Sequence, residues 1–447
     1  MKKLSVSAIA ISAGVSLSAG AQSSLPPVRQ LGPVAAVSKD SLAAVSGIRT
    51  LPNGRVLVND IFGRRVVLLD STLSLVTVVA DTTSATANAY GVRPGGLIAY
   101  HGDSTLFVDP ASLSMLLIDA NGKIGRVMSA PRAQDIGFLI GGPFGAPGFD
   151  PSGKLVYRAP PNFAAFARGP GANGLPPIPA IPESAAIVRF DLASRRLDTA
   201  TFFRTPKVVM NVTRTNDGNV RVLPQINPLP QGDDWALLPD GTIALVRTRD
   251  YHVDFLSPDG KLTSAPKISY PWERLTDSAK VAFIDSARVA IEKLRASGQF
   301  GFGLGGGGGG VQVTVGGPAG GAAGAGARGG SDGANRTTVT TTAGPPTGPG
   351  GAQLPPLQMI PPTDLPDYKP AFVPGSTRVD AEGNLWVRTT QNLDGRPVYN
   401  IVNRKGELVD RVQLPANRTL VGFGEGGAVY LAVRDSGVVR LERARVR

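Results

Sequence analysis

The side chains able to bind or react in this sequence are, first of all, guanidinium groups. Arg64, Arg93, Arg158, Arg247, Arg249, Arg388 and Arg434 each stand at the polar end of an apolar run or in the connection that follows one. A guanidinium presents a planar fork of N–H donors that matches carboxylate, phosphate or sulfate oxygens. If these groups converge, they form a surface for an anion, with Asp250 and His252 beside Arg247 and Arg249 at the same corner. The competing expectation is that each arginine, Arg65 included, pairs with a nearby aspartate (Asp60, Asp109, Asp250 or Asp435) and only fixes its own corner. Other chemistries have less to work with. With no Cys and only His101 and His252, the chain has no zinc ligand set. A Ser-His-Asp triad would need His252, and no Gly-x-Ser-x-Gly elbow supports one. The glycine run Gly305–Gly310 lacks the Lys-Ser/Thr of a phosphate loop.

The elements that must hold these residues are short strands. Between Trp235 and Leu262 the chain reads strand, Asp240-Gly241 turn, strand, polar corner (Arg247–Asp250), strand, Asp259-Gly260 turn. Asp-Gly supplies the positive φ that tight antiparallel hairpins need. The same unit recurs from Val45, with turns at Asn53-Gly54, Ser71-Thr72 and onward to the C-terminus. Four short strands per ~40 residues is the pattern of propeller blades. Five copies carry four strands; the sixth, from Leu420, has three and then the chain stops. The spare apolar stretch Val28–Val37 is expected to supply the missing outer strand and close the ring. The sequence therefore predicts an all-β, six-bladed β-propeller closed by its N-terminal strand.

In such a disc the first–second and third–fourth turns lie on one face, and the second–third corners and blade links lie on the other. The short glycine turns all fall on the first face. The long connections 81–94, 129–146, 159–184, 205–232 and 271–370 all fall on the second. Folding does not require that asymmetry, so the loop-rich face is the expected binding face. Val208–Ile226 reads as an extra hairpin and Ala159–Ser184 as an extended flap. The insertion 271–370 is expected to hold a helix over Asp277–Ala296, capped by Thr276, with Ile284, Ala287, Ile291 and Leu294 along one face. That stripe is expected to pack on the disc, with the flap and its Phe163 and Phe166 as a candidate surface. The Gly-rich stretch 298–353 lacks the apolar surface to fold and reads as a disordered linker.

Residues 1–21 combine Lys2 and Lys3, an apolar run and small residues at Ala19 and Ala21, which reads as a signal peptide. The remainder, 22–447, reads as one exported, periplasmic or extracellular propeller domain. No later run is long and apolar enough to span a bilayer. The net charge is +12, but the basic residues are dispersed among acidic ones, which argues against nucleic acid as a partner.

The blade pairs LPDGTIALVR…VDFLSPDG and VDAEGNLWVRT…IVNRKGELVD, with LPDYKPAF leading into the fifth blade, resemble secreted bacterial six-bladed propellers of the NHL/TolB-like type. The resemblance covers Val28–Arg447 apart from the Gly-rich tract and implies fold more than activity, since such proteins include lactonase-like enzymes, lyases and binding proteins. A lactonase-like member would hold Ca²⁺ in its channel on Asp, Asn and Glu oxygens, for which Asn59, Asp60, Asp109, Asp234 and Asp250 are the weak candidates. The first expectation is a monomer without cofactor that binds a small molecule, glycan or protein through its loop-rich face. A Ca²⁺-dependent lactonase-like hydrolase or lyase is the alternative.

Overall fold

The computed structural model describes residues 25–83, 88–91, 93–161, 181–214, 220–296, 310–315, 337–342, 357–435 and 437–446. The leader, the flap residues Phe163 and Phe166 and most of the Gly-rich tract lie outside the described residues.

Six small antiparallel sheets form the ring. Blades one to four hold the consecutive strands from Val45–Thr50 to Leu75–Asp81, Gly96–Ala99 to Ile124–Ser129, Gly148–Phe149 to Leu197–Arg204, and Asp234–Leu237 to Leu262–Ser264. Blade five runs from Arg378–Val379 to Leu408–Gln413, and blade six from Arg418–Gly424 to Val438–Arg445. Alternating side chains send one row toward the preceding blade and one toward the next. In blade four, Ile243 and Leu245 pack toward blade three, while Ala244 and Val246 pack toward blade five. One apolar cluster fills each gap between neighbours, and the cluster joining Val56, Val58 and Val67 to Tyr430, Val439 and Leu441 closes blade six onto blade one. The expected Asp-Gly turns are present, with Gly241 at φ 84° and Gly260 at φ 88°.

Ring closure uses the N-terminal segment, with one correction. Ala36–Val37 is the outer strand of blade six, pairing antiparallel with Arg443 and Glu442. Val28–Gln30, expected in that same strand, instead adds to blade five, parallel to Arg411–Gln413. Arg29 secures it with an ion pair to Asp410 at 2.8 Å. Pro33, which has no N–H to give, falls between the two pieces and breaks a continuous ladder.

The insertion carries the helix Asp277–Ala296, and the Thr276 hydroxyl accepts from the Ala279 N–H at 3.2 Å. Ile284 and Ile291 are buried. Among the described residues Ile284 packs with Leu229, Leu275, Ile360 and Leu365, and Lys280 reaches Asp367 at 2.7 Å; the candidate contact with Phe163 and Phe166 lies outside the described residues. The hairpin expected in Val208–Ile226 pairs Met210–Arg214 with Val220–Pro224. Two segments of the Gly-rich tract, Gly310–Val315 and Thr337–Thr342, also pair antiparallel, which its composition did not suggest.

Candidate functional site

The loop-rich face is built from the ends of second strands, the corners that follow them and the blade links. Asp60 ends the second strand of blade one and is fully buried. Its Oδ1 accepts from the N–H groups of Ala43 and Ala44, both at 2.9 Å, and from Gly63 at 3.2 Å; Oδ2 takes Arg65 Nε at 3.0 Å. Asp109 ends the matching strand of blade two and accepts from Gly91 N, Ala111 N and Ser112 Oγ. Asn59 donates to Ser46 Oγ and to the Gly95 carbonyl. Each of these tethers a corner or a link to a blade.

At the corner of blade four, Arg247 Nε meets Asp254 at 2.7 Å and Nη1 meets Asp233 at 2.9 Å. His252 lies between two carboxylates, Nδ1 at 2.7 Å from Asp250 and Nε2 at 3.2 Å from Asp254. Asp254 also accepts from Ser264 Oγ at 2.5 Å. Burial disfavours its charge, but Ser264 and Arg247 outweigh that and hold its carboxyl below the usual range. Asp250 has Lys267 at 3.5 Å on its other oxygen. These side chains face blade three, since Arg247 continues the Ile243–Leu245 row; His252 is thus an interblade residue and not a channel residue.

Arg158 continues the Val156 row of blade three toward blade four. Its guanidinium carbon sits 5.2, 5.6 and 5.8 Å from the ring centroids of Phe144, Phe203 and Phe138. Its Nε is buried with no hydrogen-bond partner among the described residues. Loss of water pulls its pKa down to about 10, opposed by the charge of Asp234. Asp234 is itself buried at the start of the innermost strand of blade four, accepting from the N–H groups of Trp235 at 2.9 Å and Thr377 at 2.8 Å. Burial raises its pKa, and the Arg378 charge is among the influences opposing that rise.

The link from blade two to blade three roofs part of the channel mouth, which sequence reasoning missed. Ile140 lies so close to Gly96 that a Cβ there would come within 2.5 Å of its Cα. Pro143 lies against Gly375, where a Cβ would meet its carbonyl oxygen at 2.5 Å. Phe144 O accepts from Trp235 Nε1 at 2.9 Å. Asp135, fully buried, anchors this link by binding Arg132 Nε and Nη2 at 2.7 and 2.8 Å and the Tyr157 hydroxyl at 2.5 Å. The Arg132/Asp135 spacing was the one available signal.

Arg64, Arg93, Arg249, Arg388 and Arg434 are exposed, and no ion pair to any of them is found among the described residues. The face thus gathers the arginines in two states: Arg65 and Arg247 are spent on aspartates, the others are not. Beside Arg434, a cleft of about 470 Å³ opens between Val37, Ala416, Arg418, Val438 and Glu442 on blade six. Another, of about 260 Å³, lies on the opposite face between blades five and six, near Trp386 and Gly426.

Three of the five groups considered for Ca²⁺ are already engaged by other partners. Asp60 and Asp109 are filled by backbone N–H groups and neighbouring side chains, and the charges of Arg158 and Arg378 act on Asp234. Among the described residues no three His, Asp or Glu side chains converge as a metal site.

No protein-family model matches the chain, and no curated protein matches it. Among solved structures it is similar to a putative gluconolactonase (12% identity, 95% of this chain and 99% of that one, TM-score 0.37). It is also similar to a gluconolactonase from Xanthomonas campestris (10% identity, 93% and 99%, TM-score 0.37). A third is the calcium-binding protein regucalcin from Agrobacterium tumefaciens (13% identity, 94% and 98%, TM-score 0.38). Likeness at this level says nothing about what this chain binds.

Proposed function

We propose that this chain is an exported propeller that binds an anionic small molecule, or an anionic group on a glycan or protein, through its loop-rich face. One observation carries this: Arg64, Arg93, Arg249, Arg388 and Arg434 stand exposed there without acidic partners among the described residues. Guanidinium groups left uncompensated on one face raise the local concentration of anions and supply forked donors when one docks. The lactonase-like alternative needs a cation held at the channel mouth, and the donor set there is already engaged.

The test is calorimetric titration of the mature chain, residues 22–447, with acetate, hexanoate, citrate, inorganic phosphate and a sulfated disaccharide, against neutral analogues of each. At least one anion should bind, with affinity falling as salt rises. If every anion binds no better than its neutral analogue at low salt, the function is not anion binding. Export is tested separately by fusing residues 1–24 to a reporter that is active only outside the cytoplasm.

A further inference from the structure

We propose that the cleft on blade six is a binding site for a monocarboxylate with a short apolar body. This rests on the reading that the loop-rich face takes anions, and it names the place and the class. The cleft is about 470 Å³, within the range of small-molecule sites. Three guanidinium groups border it, but two are spent. Arg418 is bidentate to Glu442, at 2.5 and 3.0 Å. Arg440 Nη1 donates to the carbonyls of Ser38 and Lys39 at 2.9 and 2.7 Å. Arg434 alone keeps its fork for a ligand, no acceptor for its guanidinium being found among the described residues.

The remaining walls select the class. Val37 and Val438, both lining the cleft, are 41% and 37% exposed. They offer apolar contact on either side of the cation. Glu442 is neutralised by Arg418, so the cleft offers one uncommitted cation, enough to match a single negative charge. One free fork between two aliphatic walls fits a single carboxylate on a hydrocarbon stem. Val37 comes from the N-terminal closing strand, whereas Arg434 and Val438 come from the last blade. An occupant therefore bridges the ring closure and should stabilise the folded chain by mass action.

The probes are hexanoate, acetate and inorganic phosphate, titrated into the mature chain and into Arg434→Gln, Val438→Trp and Lys123→Gln. Lys123 lies on the opposite face. Hexanoate should bind more tightly than acetate or phosphate and raise the melting temperature. Arg434→Gln should weaken hexanoate at least tenfold and remove its thermal shift, Val438→Trp should block it, and Lys123→Gln should change nothing. Because Arg434 is exposed, its variant should fold even if Val438→Trp does not. Hexanoate binding that survives both cleft substitutions would move the anion elsewhere on the face, sinking this inference but not the functional reading. Phosphate binding above hexanoate overturns the class. Failure of every anion to bind overturns both.

Discussion

The second strands of blades one and two end on aspartate, whereas those of blades three and four end on arginine; that of blade six ends on Arg434 and Asp435, and that of blade five carries Arg388 within the strand. The two groups of corners have different fates. Asp60 and Asp109 are acceptors, and the polypeptide supplies donors everywhere: Ala43, Ala44, Gly63, Gly91 and Ala111 turn their N–H groups onto them. An arginine cannot accept a backbone N–H, so it needs a carboxylate or carbonyl within reach. Arg247 finds Asp233 and Asp254; Arg158, Arg388 and Arg434 find no carboxylate among the described residues. An acid at this position becomes part of the scaffold by default, while an arginine stays available unless an acid has been placed for it.

The largest expected effect comes from breaking an acidic corner. Asp60→Ala removes a fully buried acceptor of three N–H groups and the partner of Arg65, and should cost about 3–5 kcal/mol in chemical denaturation. A loss under about 1 kcal/mol would mean that the aspartate corners are not structural and that the comparison is empty.

Next comes the one arginine corner that is paired. Asp254→Asn should cost about 1–3 kcal/mol at neutral pH, because it weakens bonds from Arg247, Ser264 and His252. Since the folded-state pKa of Asp254 is depressed, its contribution is complete above about pH 4, the ordinary Asp value, and is lost as pH falls through the folded value. Asp234 has the opposite sign. Its folded pKa is raised by burial, so its ionisation costs stability as pH rises through that value. Between pH 3 and 6, Asp254→Asn should flatten the acid loss of stability and Asp234→Asn should steepen it. Identical pH profiles for the two variants would show that neither carboxyl titrates as its surroundings dictate.

Smaller still, Arg388→Gln and Arg64→Gln should each leave stability within about 0.5 kcal/mol of the parent, as exposed groups without ion pairs do. A loss of 2 kcal/mol at either, read from the denaturation midpoint, would reveal a structural partner and remove that residue from the binding face.

The blades were legible because their code is local. Gly241 and Gly260 are needed at positive φ within a few residues of the strands they join, and apolar alternation fixes which side chains enter each gap. The helix was legible for the same reason: Thr276 caps it and its apolar stripe is periodic. What the helix packs on was not. Leu229, Ile360 and Leu365 come from two separate connections, and no periodicity links them. The N-terminal segment was half legible, as its last strand fills an obvious vacancy in blade six while Val28–Gln30 takes an edge on blade five that was already complete. At the site, the arginines could be identified from their place after apolar runs, but whether each was spent could not. Arg247 is neutralised partly by Asp233, which lies in a blade link, and the roof over the channel depends on contacts such as Phe144 with Trp235, 91 residues apart.

Arg158 gives the sharpest test of what an arginine corner is for. Its guanidinium has given up water, its Nε finds no partner among the described residues, and three phenylalanine rings surround it. The rings repay part of the desolvation by cation–π attraction, on the order of 0.5–2 kcal/mol. Asp234 adds some Coulomb attraction but also takes the field of Arg378. Methionine keeps the length and apolar contact of the stem, and its thioether packs well on phenylalanine. Arg158→Met should therefore leave stability within about 1 kcal/mol, since replacing a buried charge by a packed apolar group is often neutral. A loss above about 3 kcal/mol in urea denaturation would show that Arg158 is as structural as Asp60. The division between acidic and basic corners would then reduce to how each charge is neutralised.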